Sequence, residues 1–534
     1  MVLSGLRQNP NRALIMPSFF SAALLLAAAF ATHVGTAPSS LVATSATRSA
    51  VALSWASTDA PATQVIVERK ALGATWPTVT TASTLPNTPA TPVTIAQITG
   101  TTATDSRIDA FATYVYRVRS IGPGNTLSAP SNELIVGPPP VGFTSVIAAP
   151  SAMHTHDREQ FASVTRMALD ANGDPLVAYL TNDLNNDGEL QDSDLSVITW
   201  NRARYRWNPP VAIDTVGNVA RAGTRLPFSI ARDASTGTLG VLHVVGDHDL
   251  DLSTSDDGGV KWKRVRIDHS GNEEPGFSTP SLAMAGGKIH VAYAMGGNGV
   301  AYKSGAVTSA PTTWTLLKAP LLPGTESTRN ECVSLALDGS GKPIVGYCLN
   351  ATTGYTVTAA LWQPETNSAV KITDTNERQS DDPGLDITAL GSQVAAVFYS
   401  PRDDKFFANH HLWFAKSTNG GAAWSPAVVL ADDGGNTMGA PVSVTLDRSG
   451  RPAVVANVDG GSDGANKCGQ PKLMRSVDGA AFTICAPDTK GIVMTTDPVA
   501  PTARFADNDK LYVVFKIRQS GAGLPPGIVL WRER

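Results

Sequence analysis

Charge is scarce in this chain. Only 16% of its 534 residues are Asp, Glu, Lys or Arg, the net charge is −4, and no Lys/Arg run occurs. That argues against a nucleic-acid partner, because neutralising a phosphate backbone takes a concentrated basic face. Cysteine is scarcer still: there are four, none in C-x-x-C spacing and none near a histidine, so a zinc cluster is not expected. Helical periodicity is missing beyond the first residues, which excludes helix bundles and alternating α/β architectures and leaves an all-β chain. At 42% hydrophobic the chain is globular, and its length calls for several domains.

The one long apolar run is at the start. Arg7 and Arg12 precede Ala13 to Ala31, which carries Leu24-Leu25-Leu26 and ends in Ala29-Phe30-Ala31. Residues 1–31 therefore read as a signal peptide with a small-x-small cleavage pattern, or else as an uncleaved anchor. Either reading places the bulk of the protein outside the cytoplasm, secreted or at the cell surface, with no membrane span after cleavage. The cysteines agree with an oxidising compartment. Cys332 and Cys348 are symmetric about residue 340, the centre of the turn Asp338-Gly339-Ser340-Gly341, so a hairpin would set them opposite each other. Cys468 and Cys485 are nearly symmetric about Ser476-Val477-Asp478-Gly479. Two disulfides, Cys332–Cys348 and Cys468–Cys485, are expected, with four buried thiols as the alternative.

A short phrase recurs on a grid: Asp170-Ala171-Asn172-Gly173-Asp174-Pro175, Asp338-Gly339-Ser340-Gly341-Lys342-Pro343 and Asp447-Arg448-Ser449-Gly450-Arg451-Pro452. The first interval is three steps of about 56 residues and the second two of about 54. Looser copies at Ile230-Ala231-Arg232-Asp233, Leu282-Ala283-Met284-Ala285, Ile387-Thr388-Ala389-Leu390 and Thr502-Ala503-Arg504-Phe505 bring the number to about seven. Each unit reads as four strands, such as Cys332–Leu337, Pro343–Leu349, Val357–Gln363 and Ala369–Ile372. A unit this small cannot bury both faces alone. Residues 145–534 are thus expected to form a seven-bladed β-propeller, the alternatives being a six-bladed ring with an insertion or a superhelical stack.

Residues 36–137 carry alternating runs, Val51-Ala52-Leu53-Ser54-Trp55 and Thr113-Tyr114-Val115-Tyr116-Arg117-Val118, followed by Gly122 and Ser128-Ala129-Pro130-Ser131-Asn132-Glu133-Leu134. This order resembles a fibronectin type III module, which implies a β-sandwich with the Trp in its core and a Tyr placed like Tyr114 tying a corner to the backbone. Arg-Gly-Asp is absent, so an adhesion role is not carried over. Gly137-Pro138-Pro139-Pro140 predicts a stiff linker over 138–144. In the repeats, Ser255-Asp256-Asp257-Gly258-Gly259-Val260-Lys261-Trp262 and Ser417-Thr418-Asn419-Gly420-Gly421-Ala422-Ala423-Trp424 share S-x-[DN]-x-G-x-x-W, and Ser476-Val477-Asp478-Gly479-Ala480-Ala481-Phe482 is a shortened version. These resemble the Asp-box (BNR) turns of sialidase-like propellers. Their chemistry is structural: the Asp or Asn bonds turn amides and the Gly supplies positive φ.

Asp183-Leu184-Asn185-Asn186-Asp187-Gly188-Glu189-Leu190-Gln191-Asp192-Ser193-Asp194 sets oxygen side chains at positions 1, 3, 5 and 12 of a loop with Gly at 6. It resembles dockerin and EF-hand loops, with Asp closing it and strands in place of flanking helices. Asp183, Asn185, Asp187 and Asp194 would ligate Ca2+ through side chains, Glu189 through its carbonyl and Gln191 through water; a polar hairpin tip is the alternative. The ion would be structural. Arg225-Leu226-Pro227 is similar to the Arg-Ile-Pro that begins a sialidase carboxylate clamp, and Arg158, Arg329 and Arg378 also precede inner strands. No nucleophile pair stands out: Tyr179 and Tyr347 fall in second strands. Rim arginines paired with Glu273, Glu331, Asp381 and Asp382 are the simpler reading, and His154, His156 and Asp157 read as a solvated loop. The expectation is a monomeric, non-catalytic binder of an extracellular glycan or protein; the alternative is a sialidase-like glycoside hydrolase with Arg225 as its candidate residue.

Overall fold

The computed structural model describes residues 36–57, 64–76, 93–148, 165–180, 195–214, 228–246, 248–270, 277–295, 299–308, 313–352, 357–375, 384–401, 410–432, 442–456, 472–476, 482–484, 501–517 and 527–533. The chain divides into two compact units, Met1–Val136 and Gly137–Arg534. The described residues are all-β, and among them no helix is long and apolar enough to cross a membrane.

Among the described residues the first unit holds seven strands: β1 (Ser39–Ala46), β2 (Val51–Ala56), β3 (Gln64–Ala71), β4 (Val93–Thr99), β5 (Thr102–Asp105), β6 (Tyr114–Ser120) and β7 (Leu134–Val136). They form two antiparallel sheets, ordered β1-β2-β5 and β4-β3-β6-β7. Alternation explains the core: Val51, Leu53 and Trp55 on β2 meet Val65 and Val67 on β3 and Tyr116 and Val118 on β6. Arg69 pairs with Asp105 at 2.6 Å, and Tyr116 Oη donates to the same carboxylate at 3.0 Å. Tyr114 Oη accepts the Asp109 N–H at 2.9 Å, fixing the turn that enters β6.

The second unit is a β-propeller. Among the described residues seven sheets follow one another, with first strands Thr165–Leu169, Phe228–Arg232, Phe277–Ala285, Thr325–Leu337, Gly384–Leu390, Val442–Leu446 and Thr502–Phe505. Each first strand lies beside the next, and the last lies beside the first. The seventh sheet takes its outermost strand from the start of the unit: β8 (Gly142–Ala148) pairs with Gly527–Arg532. The ring is thus fastened by both ends of the unit. Every sheet is packed on both faces, which is why second strands read as unbroken apolar runs; all of Pro175–Leu180 and Leu239–Val245 is buried. The cores lie between sheets. Leu176, Ala178, Leu195 and Val197 of the first sheet close on Phe228, Ile230, Leu239 and Val241 of the second.

The recurrent phrase is the turn from first to second strand. Asp170 Oδ1 accepts the N–H groups of Asn172 and Asp174, Asp338 Oδ1 those of Ser340 and Lys342, and Asp447 Oδ1 those of Ser449 and Arg451, all at 2.7–2.9 Å. The S-x-[DN]-x-G-x-x-W phrase is the turn from third to fourth strand. Ser255 Oγ donates to Asp257 Oδ1, which accepts from Val260 and Lys261; Ser417 and Asn419 repeat the pattern with Ala423. At Gly421 two constraints coincide: φ is +90°, and an added Cβ would lie 2.1 Å from Leu361 of the neighbouring sheet. Only glycine satisfies both.

One expectation needs correction. The linker predicted over 138–144 is instead built into the second unit: Gly137, Pro138 and Pro139 are buried, and Gly142 already belongs to β8. Trp200 Nε1 donates to the Gly137 carbonyl and Arg532 to that of Pro139, so these carbonyls find partners in the ring.

Candidate functional site at the propeller axis

Edge strands leave backbone groups unpaired, and a propeller turns seven such edges toward its axis. Here a repeated side chain covers them. On six first strands the residue before the core position is Ser229, Ser281, Ser334, Asp386, Ser443 or Thr502. Ser229 Oγ accepts the Leu282 N–H of the next sheet at 3.2 Å, Ser281 that of Leu335 at 2.9 Å, Ser334 that of Ile387 at 3.1 Å and Ser443 that of Ala503 at 3.3 Å. Asp386 does the same for Val444 through Oδ2 at 2.9 Å, while its Oδ1 accepts from Ser334 Oγ at 2.9 Å. Thr502 donates to the Thr165 carbonyl at 2.8 Å.

The first sheet departs from this pattern. Its corresponding residue is Arg166, which has no acceptor atom and cannot receive the next strand's N–H. Its guanidinium reaches back instead, donating to Thr502 Oγ1 and to the Thr165 carbonyl, both at 3.3 Å. Arg504, two residues beyond Thr502 on the same strand face, donates to its neighbour's carbonyl, Ala503, at 2.8 Å. Among the described residues neither arginine forms a salt bridge to Asp386 within 4 Å. All three side chains keep some accessible surface. Burial nonetheless lowers Arg166 to about 10 and lowers Arg504, while it raises Asp386 against the pull of both arginines.

Of the residues singled out by sequence, Cys332 and Cys348 are joined in a disulfide, Cα to Cα 5.4 Å, between the first and second strands of the fourth sheet. Tyr347 is fully buried, donates to the Pro320 carbonyl at 2.7 Å and is held un-ionised by burial; Tyr179 is likewise buried and pushed up to about 12. Neither is placed as a nucleophile. Asp183, Asn185, Asp187, Glu189, Gln191 and Asp194 lie outside the described residues, but the flanking Leu180 and Leu195 are buried and paired with each other, so the loop joins two adjacent strands. Arg225, Cys468, Cys485, Arg158, Arg378, His154, His156 and Asp157 also lie outside them. Among the described residues no group of three or more His, Cys, Asp or Glu could hold a metal ion. Four residues before each first-to-second turn stand Arg166, Ser229, Ser281, Ser334, Asp386, Ser443 and Thr502, the ring itself.

No protein-family model and no curated protein sequence matches the chain. Solved structures do resemble it. The Aleuria aurantia lectin in complex with α-methyl-L-fucoside is 15% identical, with a TM-score of 0.37 over 65% of this chain and 96% of that one. An α-L-arabinofuranosidase from Fusarium graminearum in complex with an iminosugar inhibitor is 11% identical, with a TM-score of 0.42 over 73% and 97%. Kuenenia stuttgartiensis hydrazine synthase is 12% identical, with a TM-score of 0.42 over 68% and 96%. Likenesses this weak assign no activity, and the sheet count rests on this chain's own strand pairing.

Proposed function

We propose that the chain is a secreted or cell-surface, non-catalytic binding protein: a seven-bladed propeller with Asp-box turns, preceded by a fibronectin type III-like sandwich, that presents a glycan or protein ligand to its longer connections. The reading rests on how the connections divide. The up-and-down strand order puts first-to-second and third-to-fourth turns at one end of every sheet, and there Asp338, Asp257 and their counterparts lock them with repeated backbone bonds. Second-to-third strand connections and those from one sheet to the next differ in length and composition along the sequence. Varied connections on a rigid scaffold are where recognition resides. Asp386 supports a non-catalytic reading, since both its oxygens are committed to structural bonds. A structural Ca2+ at Asp183, Asn185, Asp187, Glu189 and Asp194 would order one of these connections.

Glycan-array and pull-down screens of the full chain test the proposal, alongside a fluorogenic sialoside. Retention on a glycan or protein without turnover is expected. Turnover abolished by Arg225→Ala would replace it with a glycoside hydrolase, and silence in every screen would also overturn it.

A further inference from the structure

We infer that the propeller axis holds a monovalent anion between the guanidinium groups of Arg166 and Arg504. Arg166 and Arg504 stand on adjacent first strands and Asp386 on another of the strands that circle the axis, so two cations and one carboxylate leave one positive charge without a partner among the described residues. Asp386 is already engaged by Ser334 and by the Val444 N–H, and neither arginine reaches it as an ion pair within 4 Å. Most guanidinium donors of the pair are uncommitted: Arg166 uses one nitrogen, on Thr502 and the Thr165 carbonyl, and Arg504 uses one, on the Ala503 carbonyl. Desolvated cations with spare N–H groups bind an oxyanion or halide strongly, and the guanidinium fork matches a carboxylate in shape as well as charge. The break in the ring points the same way. Six sheets carry Ser, Thr or Asp where an acceptor or hydroxyl closes the strand edge, and the seventh gives up that bond for a charge. The inference concerns the axis alone and does not depend on the ligand proposed for the longer connections.

The test is calorimetric titration of the intact protein with sodium formate and, separately, sodium chloride, in a dilute zwitterionic buffer free of other small anions. One saturable site is expected for wild type. Arg504→Gln should weaken it at least tenfold. So should Arg166→Ser, a change that restores the residue type of the other strands and should therefore leave the fold intact. Asp386→Asn should tighten the site by removing the competing negative charge. Tighter formate than chloride identifies a carboxylate site, and equal binding a site for any small monovalent anion. No saturable signal in wild type overturns the inference, as does undiminished binding by both arginine variants. If an arginine variant is insoluble, the wild-type titration and the Asp386→Asn shift decide the matter.

Discussion

If side chains crossing between blades hold the ring together, removing them one at a time should cost stability in an order set by how many bonds each makes. Ser334 makes two: it accepts the Ile387 N–H at 3.1 Å and donates to Asp386 at 2.9 Å. Ser229 makes one longer bond, to Leu282 N–H at 3.2 Å. A strand-edge N–H stranded by Ser→Ala costs roughly 1–3 kcal/mol, and a hydrogen bond to a charged group contributes about 1.5–3 kcal/mol. The two are coupled through one hydroxyl, so Ser334→Ala should cost about 3 kcal/mol and Ser229→Ala about 1 kcal/mol. At a urea m-value of about 3 kcal/mol/M or more, the larger cost moves the midpoint by about 1 M or less. The cost should also depend on pH. Losing a donor raises Asp386 further above the ordinary carboxylate range, and a raised carboxyl loses its contribution as pH rises, so Ser334→Ala should be milder at pH 5 than at pH 8. Equal costs for the two serines, or a pH-independent cost at Ser334, would refute the account of the ring.

Three further outcomes are expected. Replacing Cys332 and Cys348 together by Ala should lower stability by about 3 kcal/mol, from a bridge spanning 16 residues, and a reductant should lower the melting temperature of wild type but not of the variant. His290, buried and bonded to Tyr302 Oη at 2.6 Å, is lowered by burial to about 4. Its depressed pKa means a contribution of about 3 kcal/mol that is complete above pH 6.5 and lost as pH falls through 4, so His290→Gln should flatten that acid limb in a melting series. Chelation should lower the melting temperature of wild type, and Asp187→Ala should abolish that response; an unchanged curve on chelation would leave the 183–194 segment a hairpin tip.

The features legible in sequence are those whose chemistry tolerates few residues. A turn whose carboxylate must reach amides two and four residues on accepts Asp or Asn and little else, and a following position with φ near +75° favours Gly; Asp170, Asp338 and Asp447 with Gly173, Gly341 and Gly450 therefore stand out as a repeat. Cys332 and Cys348 were legible for the same reason, since one turn fixes which residues face each other. The first-strand ring was not. Capping an edge N–H needs only a short oxygen acceptor, and in a chain this rich in Ser and Thr the positions of Ser229, Ser281, Ser334 and Ser443 carry no contrast against their surroundings. Arg166 and Arg504 look like ordinary strand arginines until the closed ring brings the first and seventh sheets together, because their significance lies in a contact between residues more than 330 apart in sequence. The segment over 138–144 follows the same principle: Pro138 and Pro139 make it stiff, but whether it spans solvent or lies in the ring depends on Trp200 and Arg532, which only closure brings to it. Local chemistry thus specifies the blades, whereas the axis, where the charged residues meet, is a property of closure, and its function is to be sought in what seven strands jointly present.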